Sequence, residues 1–381
     1  MYINPRTGNT WPIETPVWRA PDDLGTVALV PGPAFTRDLI ERGQRGIWRY
    51  AAAIRGCCAH RAKSLGEGGT PLIAVRWNAQ TVHAKLDYLN PSGSFKDRGA
   101  AVLLNYLSGH GVRSVVEDSS GNAGAACATY AAALGMQCKI FIPDSAPAAK
   151  RLQILAMGAE ICEVQGTRED ASIAAQCLGG EAFYASNNHQ PFFLEGAKTI
   201  GYEIWEQLGF SIPDVLITPL GQGANVLGTH YAWAELRKSG EIARLPRLYA
   251  VQARNAGPYL AAWELGSFPA LTEILPTIAD GIAARTAIRL VEVSAAIAHS
   301  EGEIVGVTET EIASALRQAL AGGLYIEPTS ATALAGLTKL QRSGQVRPGE
   351  RAVVILTGSG LKAATVIGDI VQAVDWNVQR P

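Results

Sequence analysis

The sequence predicts an α/β fold, and three observations carry that prediction. From about residue 70 onward, short β-branched runs alternate with Ala- and Leu-rich stretches, the pattern of parallel strands joined by crossover helices. Each run is closed by a glycine or proline turn. An apolar content of 48% over 381 residues lets the chain bury a large core. At roughly 150 residues per domain, that length favours two domains, or one large unit with a sizeable insertion.

In chain order, the first 65 residues are the least regular, because Pro5, Pro12, Pro16, Pro21, Pro31 and Pro33 forbid a long helix. Residues 1–65 read as an arm that wraps the core or a partner subunit, with a disordered tail as the alternative. Candidate strands follow at Ser114–Val116, Lys139–Ile142, Glu160–Val164, Val215–Thr218, Leu248–Gln252 and Ala352–Leu356. The stretch from Gln207 to Asp214 breaks a helix before a buried strand, and a domain crossing is expected there. The expected division is a large domain of residues 66–109 and 212–381, with residues 110–211 inserted as a small domain. No period of about 20–50 residues repeats, which excludes a solenoid.

Charge and composition narrow the function. Lys and Arg number 33 against 34 Asp and Glu, a net charge of −1, and charged residues make up 18% of the chain against about 25% in an average domain. That balance attracts neither a nucleic acid nor a membrane surface. Forty glycines with 7% aromatics suggest tight turns around a small ligand. Six cysteines (Cys57, Cys58, Cys127, Cys138, Cys162, Cys177) are irregularly spaced without a Cys-x-x-Cys pair, and read as buried or bystander thiols in a reducing compartment. The start, Met1 to Arg6, lacks the apolar stretch of a secretory signal, and the run Ser119 to Cys138 is too polar and glycine-rich for a lipid-facing helix. A cytoplasmic location is expected. The histidines show no metal spacing, so no metal is expected. His189 is the one nearest the expected cleft, with a satisfied loop histidine as the bland alternative.

Four segments carry chemistry. Asn90-Pro91-Ser92-Gly93-Ser94-Phe95-Lys96 leads into an apolar helix, which puts Lys96 in its first turn. A cation there is opposed by the helix dipole, so its amine pKa should be lowered, the condition an amine needs to form a Schiff base. A solvated lysine balanced by Asp97 is the alternative. Ser119-Ser120-Gly121-Asn122 follows a strand and opens a small-residue helix, whose free amides suit a carboxylate or oxyanion; an ordinary N-cap is the alternative. Gly221-Gln222-Gly223-Ala224-Asn225 follows a buried strand and reads as a backbone cradle for one isolated phosphate, or as a tight turn without a ligand. It lacks the Lys-Ser/Thr ending of a nucleotide-triphosphate loop and the spacing of a dinucleotide fingerprint. Thr357, in Thr357-Gly358-Ser359-Gly360, stands at the carboxyl end of a strand, where open α/β sheets bind ligands.

Taken in order, Ser94-Phe95-Lys96-Asp97-Arg98-Gly99, the 120–124 turn, the Gly221 turn and Thr357-Gly358-Ser359-Gly360-Leu361-Lys362 resemble the tryptophan synthase β-type family of pyridoxal 5'-phosphate enzymes, fold type II, and within it most of all the threonine synthases. Ser64 to Leu72, Glu195 to Thr199, Thr277 to Ile282 and Glu327 to Ala331 also match, so the resemblance spans about residues 46 to 365. It implies mostly parallel sheets with helices on both faces, a pyridoxal-phosphate-dependent lyase acting on a small amino acid, and a homodimer. Position by position, it implies that Lys96 carries the cofactor and shuttles protons, and that Asn122 bonds the phenolic oxygen. Ser119, Ser120 and Gly121 would face the substrate carboxylate, and Gly221, Gln222, Gly223, Ala224 and Asn225 would hold the 5'-phosphate. Thr357 would meet the pyridine nitrogen, and Gly281 would line the pocket behind the ring. For a threonine synthase the substrate is O-phosphohomoserine and the products are threonine and phosphate. A second anion site is then required, with Arg98, Lys150, Arg151, Lys198 and Arg254 as candidates.

Three departures bear on the substrate and leave the cofactor untouched: Ala123-Gly124 in the carboxylate turn, Ala363 after Gly-Leu-Lys, and Gln222 with Ala224 in the phosphate turn. The first is nearer the serine/threonine dehydratases and cysteine synthases, so a β-elimination or β-replacement enzyme is the close rival. An NAD(P)-dependent oxidoreductase, resting on the Gly221 turn with Arg254, and a catalytically silent binding subunit complete the alternatives.

Overall fold

The computed structural model of the chain describes residues 1–56, 62–144, 148–178, 182–267 and 274–372. Of the residues singled out above, Cys57, Cys58, His60 and the Lys150 side chain lie outside the described residues. The chain divides into two units, Met1–Gly69 with Asn90–Thr199, and Thr70–Leu89 with Ile200–Pro381.

In the first unit, a four-stranded parallel sheet runs in the order Glu160–Val164, Gln137–Pro143, Ser114–Glu117, Phe183–Tyr184. The three longer strands follow the sequence expectation to within two residues. The strand Phe183–Tyr184 is too short to show a period in the sequence. The helix Lys96–Gly109 packs on both Asn122–Leu134 and Pro191–Ala197. At the second contact the backbones nearly touch: a Cβ on Gly99 would sit 2.5 Å from the Phe193 ring, and one on Gly196 would strike the Arg98 carbonyl. Only glycine fits at either place.

The N-terminal segment forms a small antiparallel sheet of Tyr2–Ile3, Thr10–Trp11 and Ala28–Leu29. It is tied to the first unit by buried polar contacts. Tyr2 is fully buried with its hydroxyl 2.8 Å from that of Tyr106, which donates to Ile13 O at 2.6 Å.

The second unit holds a six-stranded sheet in the order Glu303–Val307, Arg247–Ala253, Val215–Pro219, Ala352–Ile355, Gln80–Lys85, Leu72–Trp77, parallel except for the last pair. Val215–Pro219 is buried along its whole length, as a central parallel strand covered on both faces must be. Ile217 on that strand packs with Val251, Val305 and Val354 beneath the helices Glu309–Ala321 and Pro328–Arg342. The hairpin Leu72–Lys85 turns at Asn78 and Ala79, both left-handed at φ 49° and 63°. A two-residue turn with positive φ at both positions usually carries Asn-Gly, and the alanine hides it from a reading of turn signals.

The division differs from the expected one at two helices. Lys96–Gly109 belongs to the first unit because its apolar run Ala100–Leu104 is buried there. The helix Thr199–Gln207 lies almost wholly in the second unit, where Glu203 and Gln207 hold Lys85. Phe210, at φ 63°, folds back on Trp205, so the break after this helix does not coincide with the crossing. Among the described residues, no helix is long and apolar enough to cross a membrane.

Candidate active site

Lys96 is the first residue of its helix and is half-buried. Its Nζ lies 4.9 Å from the centre of the Phe95 ring and 5.4 Å from that of Phe193, within reach of a cation–π attraction. Asp97 is buried, and its Oδ2 accepts from Ser92 N at 2.6 Å, bracing the turn that delivers the lysine.

A second pair of side chains meets the lysine. An ammonium can only donate, so the Asn187 amide turns its oxygen toward Lys96 Nζ, at 2.8 Å, and its nitrogen toward Glu117 Oε1, at 2.9 Å. The opposite orientation would set oxygen against carboxylate, while letting the Asn187 nitrogen donate to Asn188 Oδ1 at 2.9 Å. Glu117 ends the strand Ser114–Glu117, is buried, and its Oε2 has no hydrogen-bond partner among the described residues. Burial, reinforced by the neighbouring Asp118 charge, pushes its carboxyl from 4.5 up to about 8.

Two residues beyond Glu117, Ser119 Oγ accepts from Gly121 N at 3.2 Å, and the helix opens at Asn122. A Cβ on Gly124 would strike the Ser119 carbonyl, so this turn lies directly against the first turn of its helix. The amides of that first turn have no acceptor within the helix, which suits them to an anion.

In the second unit, the strand Val215–Pro219 passes through Gly221 to Asn225 into the helix Ala224–Lys238. Gly223 is left-handed at φ 88°, and a Cβ there would collide with Val293. Among the described residues, the amides of Gly221, Gln222, Gly223, Ala224 and Asn225 donate to no backbone acceptor. Five such donors at the positive end of a helix make a cradle for a dianion. The Gln222 side chain is spent elsewhere: it donates to Thr286 O at 2.8 Å and accepts from Ile288 N and the Tyr259 hydroxyl at 3.1 Å. What Gln222 offers an anion is its backbone N–H. Asn225 is buried, and its Oδ1 has no partner among the described residues.

Gly281 lies beside this turn, its carbonyl 3.7 Å from where a Gly221 Cβ would be, and its N donates to Thr329 Oγ1 at 3.1 Å. Thr357 Oγ1 is 3.2 Å from Ser330 Oγ, which accepts from Gly358 N at 2.8 Å. The second unit thus brings the Gly221 turn to Gly281, and pairs Thr357 with Ser330.

The described basic candidates are engaged. Arg98 is buried and donates to Thr199 Oγ1 at 3.1 Å, and Lys198 is buried against Glu195 at 3.0 Å. Arg151 pairs with Glu163, and Arg254 with Glu264 at 3.2 Å. His189 sits 3.4 Å from Ser186 Oγ, with its ring beside Trp18 and Tyr184, as a satisfied loop histidine would. Among the described residues, no group of His, Cys, Asp and Glu could hold a metal. Cys127, Cys138, Cys162 and Cys177 are free thiols. Sequence reasoning missed Glu117 and Asn187, although an acid at the strand's last position, before a turn that awaits an anion, is a legible oddity.

The family model described as "Pyridoxal-phosphate dependent enzyme" matches residues 63–358. A threonine synthase of Methanocaldococcus jannaschii is 33% identical over 340 residues, covering 86% of this chain and 83% of that one. One from Mycobacterium tuberculosis is 35% identical over 307 residues, with 78% and 83% covered. Among solved structures, maize serine racemase shares the fold at a TM-score of 0.68 and 22% identity, over 80% of this chain and 92% of that one. A threonine deaminase isoform from Solanum lycopersicum gives a TM-score of 0.70 at 19% identity, over 94% and 100%.

Proposed function

The chain belongs to the pyridoxal-phosphate-dependent enzyme family, and from that premise we propose that it is a lyase of threonine synthase type, converting O-phosphohomoserine to threonine and phosphate. The observation that carries the cofactor's place is the Gly221 turn, whose five amides donate to no backbone acceptor among the described residues and fit a phosphate monoester. Bound pyridoxal phosphate supplies an electron-withdrawing ring that makes the α-hydrogen of an attached amino acid acidic.

Around that chemistry, each residue has a task. Lys96 holds the cofactor and, when released, takes and returns the α-proton at Nζ. Gly221, Gln222, Gly223, Ala224 and Asn225 hold the 5'-phosphate, and Asn122 bonds the phenolic oxygen. Thr357, a neutral hydroxyl steadied by Ser330, meets the pyridine nitrogen without donating a charge, which favours elimination and replacement over transamination. Ser119, Ser120 and Gly121 receive the substrate carboxylate. We place the enzyme in the cytoplasm as a homodimer; light scattering of the purified chain checks the oligomeric state.

One observation favours the rival, a β-elimination or β-replacement enzyme on a serine or threonine derivative. The described basic candidates for a second anion site already hold partners of their own, three of them carboxylates. Two assays on the loaded enzyme separate the readings. Phosphate release from O-phosphohomoserine supports the synthase, whereas keto acid formed from serine or threonine without phosphate release supports the rival. Borohydride reduction followed by peptide mass spectrometry is expected to find the cofactor on Lys96; an adduct on another lysine would overturn the site assignment.

A further inference from the structure

We propose that the Gln222 side chain is a positioning residue for the anion cradle: it clamps residues 281–293 to the Gly221 turn, and that clamp sets how tightly the turn holds a phosphate monoester. This rests on the reading of the Gly221 turn as the phosphate site.

The turn needs a brace from outside itself. Its five N–H groups, which donate to no backbone acceptor among the described residues, carry partial charges of one sign at one helix end. Gly221 and Gly223 have no side chains with which to fix the backbone, and Gly223 stands at φ 88°. Between them, Gln222 is the residue of the bend with a side chain to anchor it.

That anchor reaches two backbone groups of one loop. Gln222 Nε2 donates to Thr286 O at 2.8 Å, and its Oε1 accepts from Ile288 N at 3.1 Å. A carbonyl only accepts and a backbone N–H only donates, so these partners fix which way the amide faces. The Tyr259 hydroxyl donates to the same Oε1 at 3.1 Å and accepts from Arg289 N at 3.3 Å, which returns the chain of bonds to the loop. Tyr259 is fully buried on the helix Pro258–Leu265, and burial pushes its phenol above the ordinary 10, which keeps it a donor.

The glycines on either side of Gln222 touch the same stretch. Ile282 Cγ2 lies 3.5 Å from where a Gly221 Cβ would be, and a Gly223 Cβ would collide with Val293. Three consecutive residues of the turn therefore lie against residues 281–293. Residues 283–287 are neither helix nor strand, and Arg285 and Thr286 are exposed. A loop with a solvated face is held where its anchors are, and Gln222 supplies two of them.

The clamp works through preorganisation. With the loop fastened, an anion finds its donors already in place; without it, binding must also order the turn, and affinity drops. Linkage makes the effect reciprocal, so an anion in the turn also steadies the loop.

The first test compares pyridoxal 5'-phosphate with pyridoxal on the cofactor-free full-length chain by equilibrium dialysis. Gln222→Met keeps the length of the side chain and removes its hydrogen bonds to Thr286, Ile288 and Tyr259. Its preference for the phosphate form is expected to fall roughly tenfold, with pyridoxal affinity unchanged. Equal weakening of both compounds is what a merely structural role would give, and that result, or no weakening, overturns the proposal. Should Gln222→Met fail to fold, Tyr259→Phe leaves both bonds to the loop and is expected to cost about threefold in the same preference; an unmoved preference counts against the clamp.

Hydrogen exchange supplies the second readout. In the parent chain, exchange at the Ile288 amide is expected to slow roughly tenfold with pyridoxal phosphate and little with pyridoxal. In Gln222→Met it should be fast with either. Exchange in the parent that ignores the phosphate would sink the coupling. Failure of the clamp differs from failure of the functional reading: a parent that binds pyridoxal as tightly as its phosphate removes cradle and clamp together, whereas a preference retained by both parent and Gln222→Met removes the clamp alone.

Discussion

Lys85 in the second unit is fully buried and Lys96 in the first is half-buried, and their surroundings differ in kind. Lys85 is fully buried, with its ammonium 2.8 Å from the Glu203 carboxylate, 2.6 Å from Thr70 O and 2.9 Å from Gln207 Oε1. All three of its donors are used, and a carboxylate supplies the countercharge. Lys198 repeats the pattern against Glu195. Lys96 lies against an amide oxygen and two aromatic rings. Lys85 is enclosed by polar partners, whereas Lys96 stands with its amine over two aromatic rings.

The largest effects should come from exchanging what each lysine can do. Lys96→Ala is expected to abolish turnover, a loss above about 10³-fold, while urea unfolding stays within about 0.5 kcal/mol of the parent. Lys85→Met should do the reverse. It strands Glu203 in the interior, and removing one partner of a buried pair costs about 3–5 kcal/mol in urea unfolding, unless that acid becomes protonated. Equal stability losses for the two variants would erase the contrast.

A smaller effect sharpens it through pH. Glu117 is an acid whose folded pKa, about 8, lies above its ordinary 4.5, so between those values the folded chain binds a proton that the unfolded chain has released. Stability therefore falls as pH rises through that window and levels off above it. Glu117→Gln carries no such penalty, and it should gain on the parent by up to about 1.4 kcal/mol per pH unit from pH 4.5 to pH 8. Parallel stability curves would mean that the carboxyl is ionised throughout.

The smallest effect tests Lys85 as scaffold. Its hairpin turns through Ala79 at φ 63°, and Ala79→Gly should stabilise the chain by about 0.5–1 kcal/mol in urea unfolding without altering kcat. A change in kcat would tie this hairpin to the chemistry.

Much of the fold was legible because the apolar strands of a covered parallel sheet leave continuous apolar, largely β-branched runs, as at Val215–Pro219 and Ala352–Ile355. The hairpin was hidden by an alanine in a turn that favours glycine, and Glu303–Val307 by Gly306, which interrupts its β-branched run. The Gly221 turn and Lys96 announced themselves through local grammar. The engagement of Arg98, Lys198 and Arg254 did not, because a local motif shows where a cation is and not what faces it; Arg98 meets Thr199 across 101 residues of chain. Glu117 escaped notice for the same reason, since its link to Lys96 runs through a residue 70 positions away.

The glycine contact between helices Lys96–Gly109 and Pro191–Ala197 has a bearing on how this chain tolerates change. With no side chain between the two backbones, the segment that bears the amine and the one that follows Asn187 have almost no slack against each other. A methyl group added at residue 99 or 196 touches no reactant, yet it would wedge the helices apart and lengthen the amine-to-amide separation.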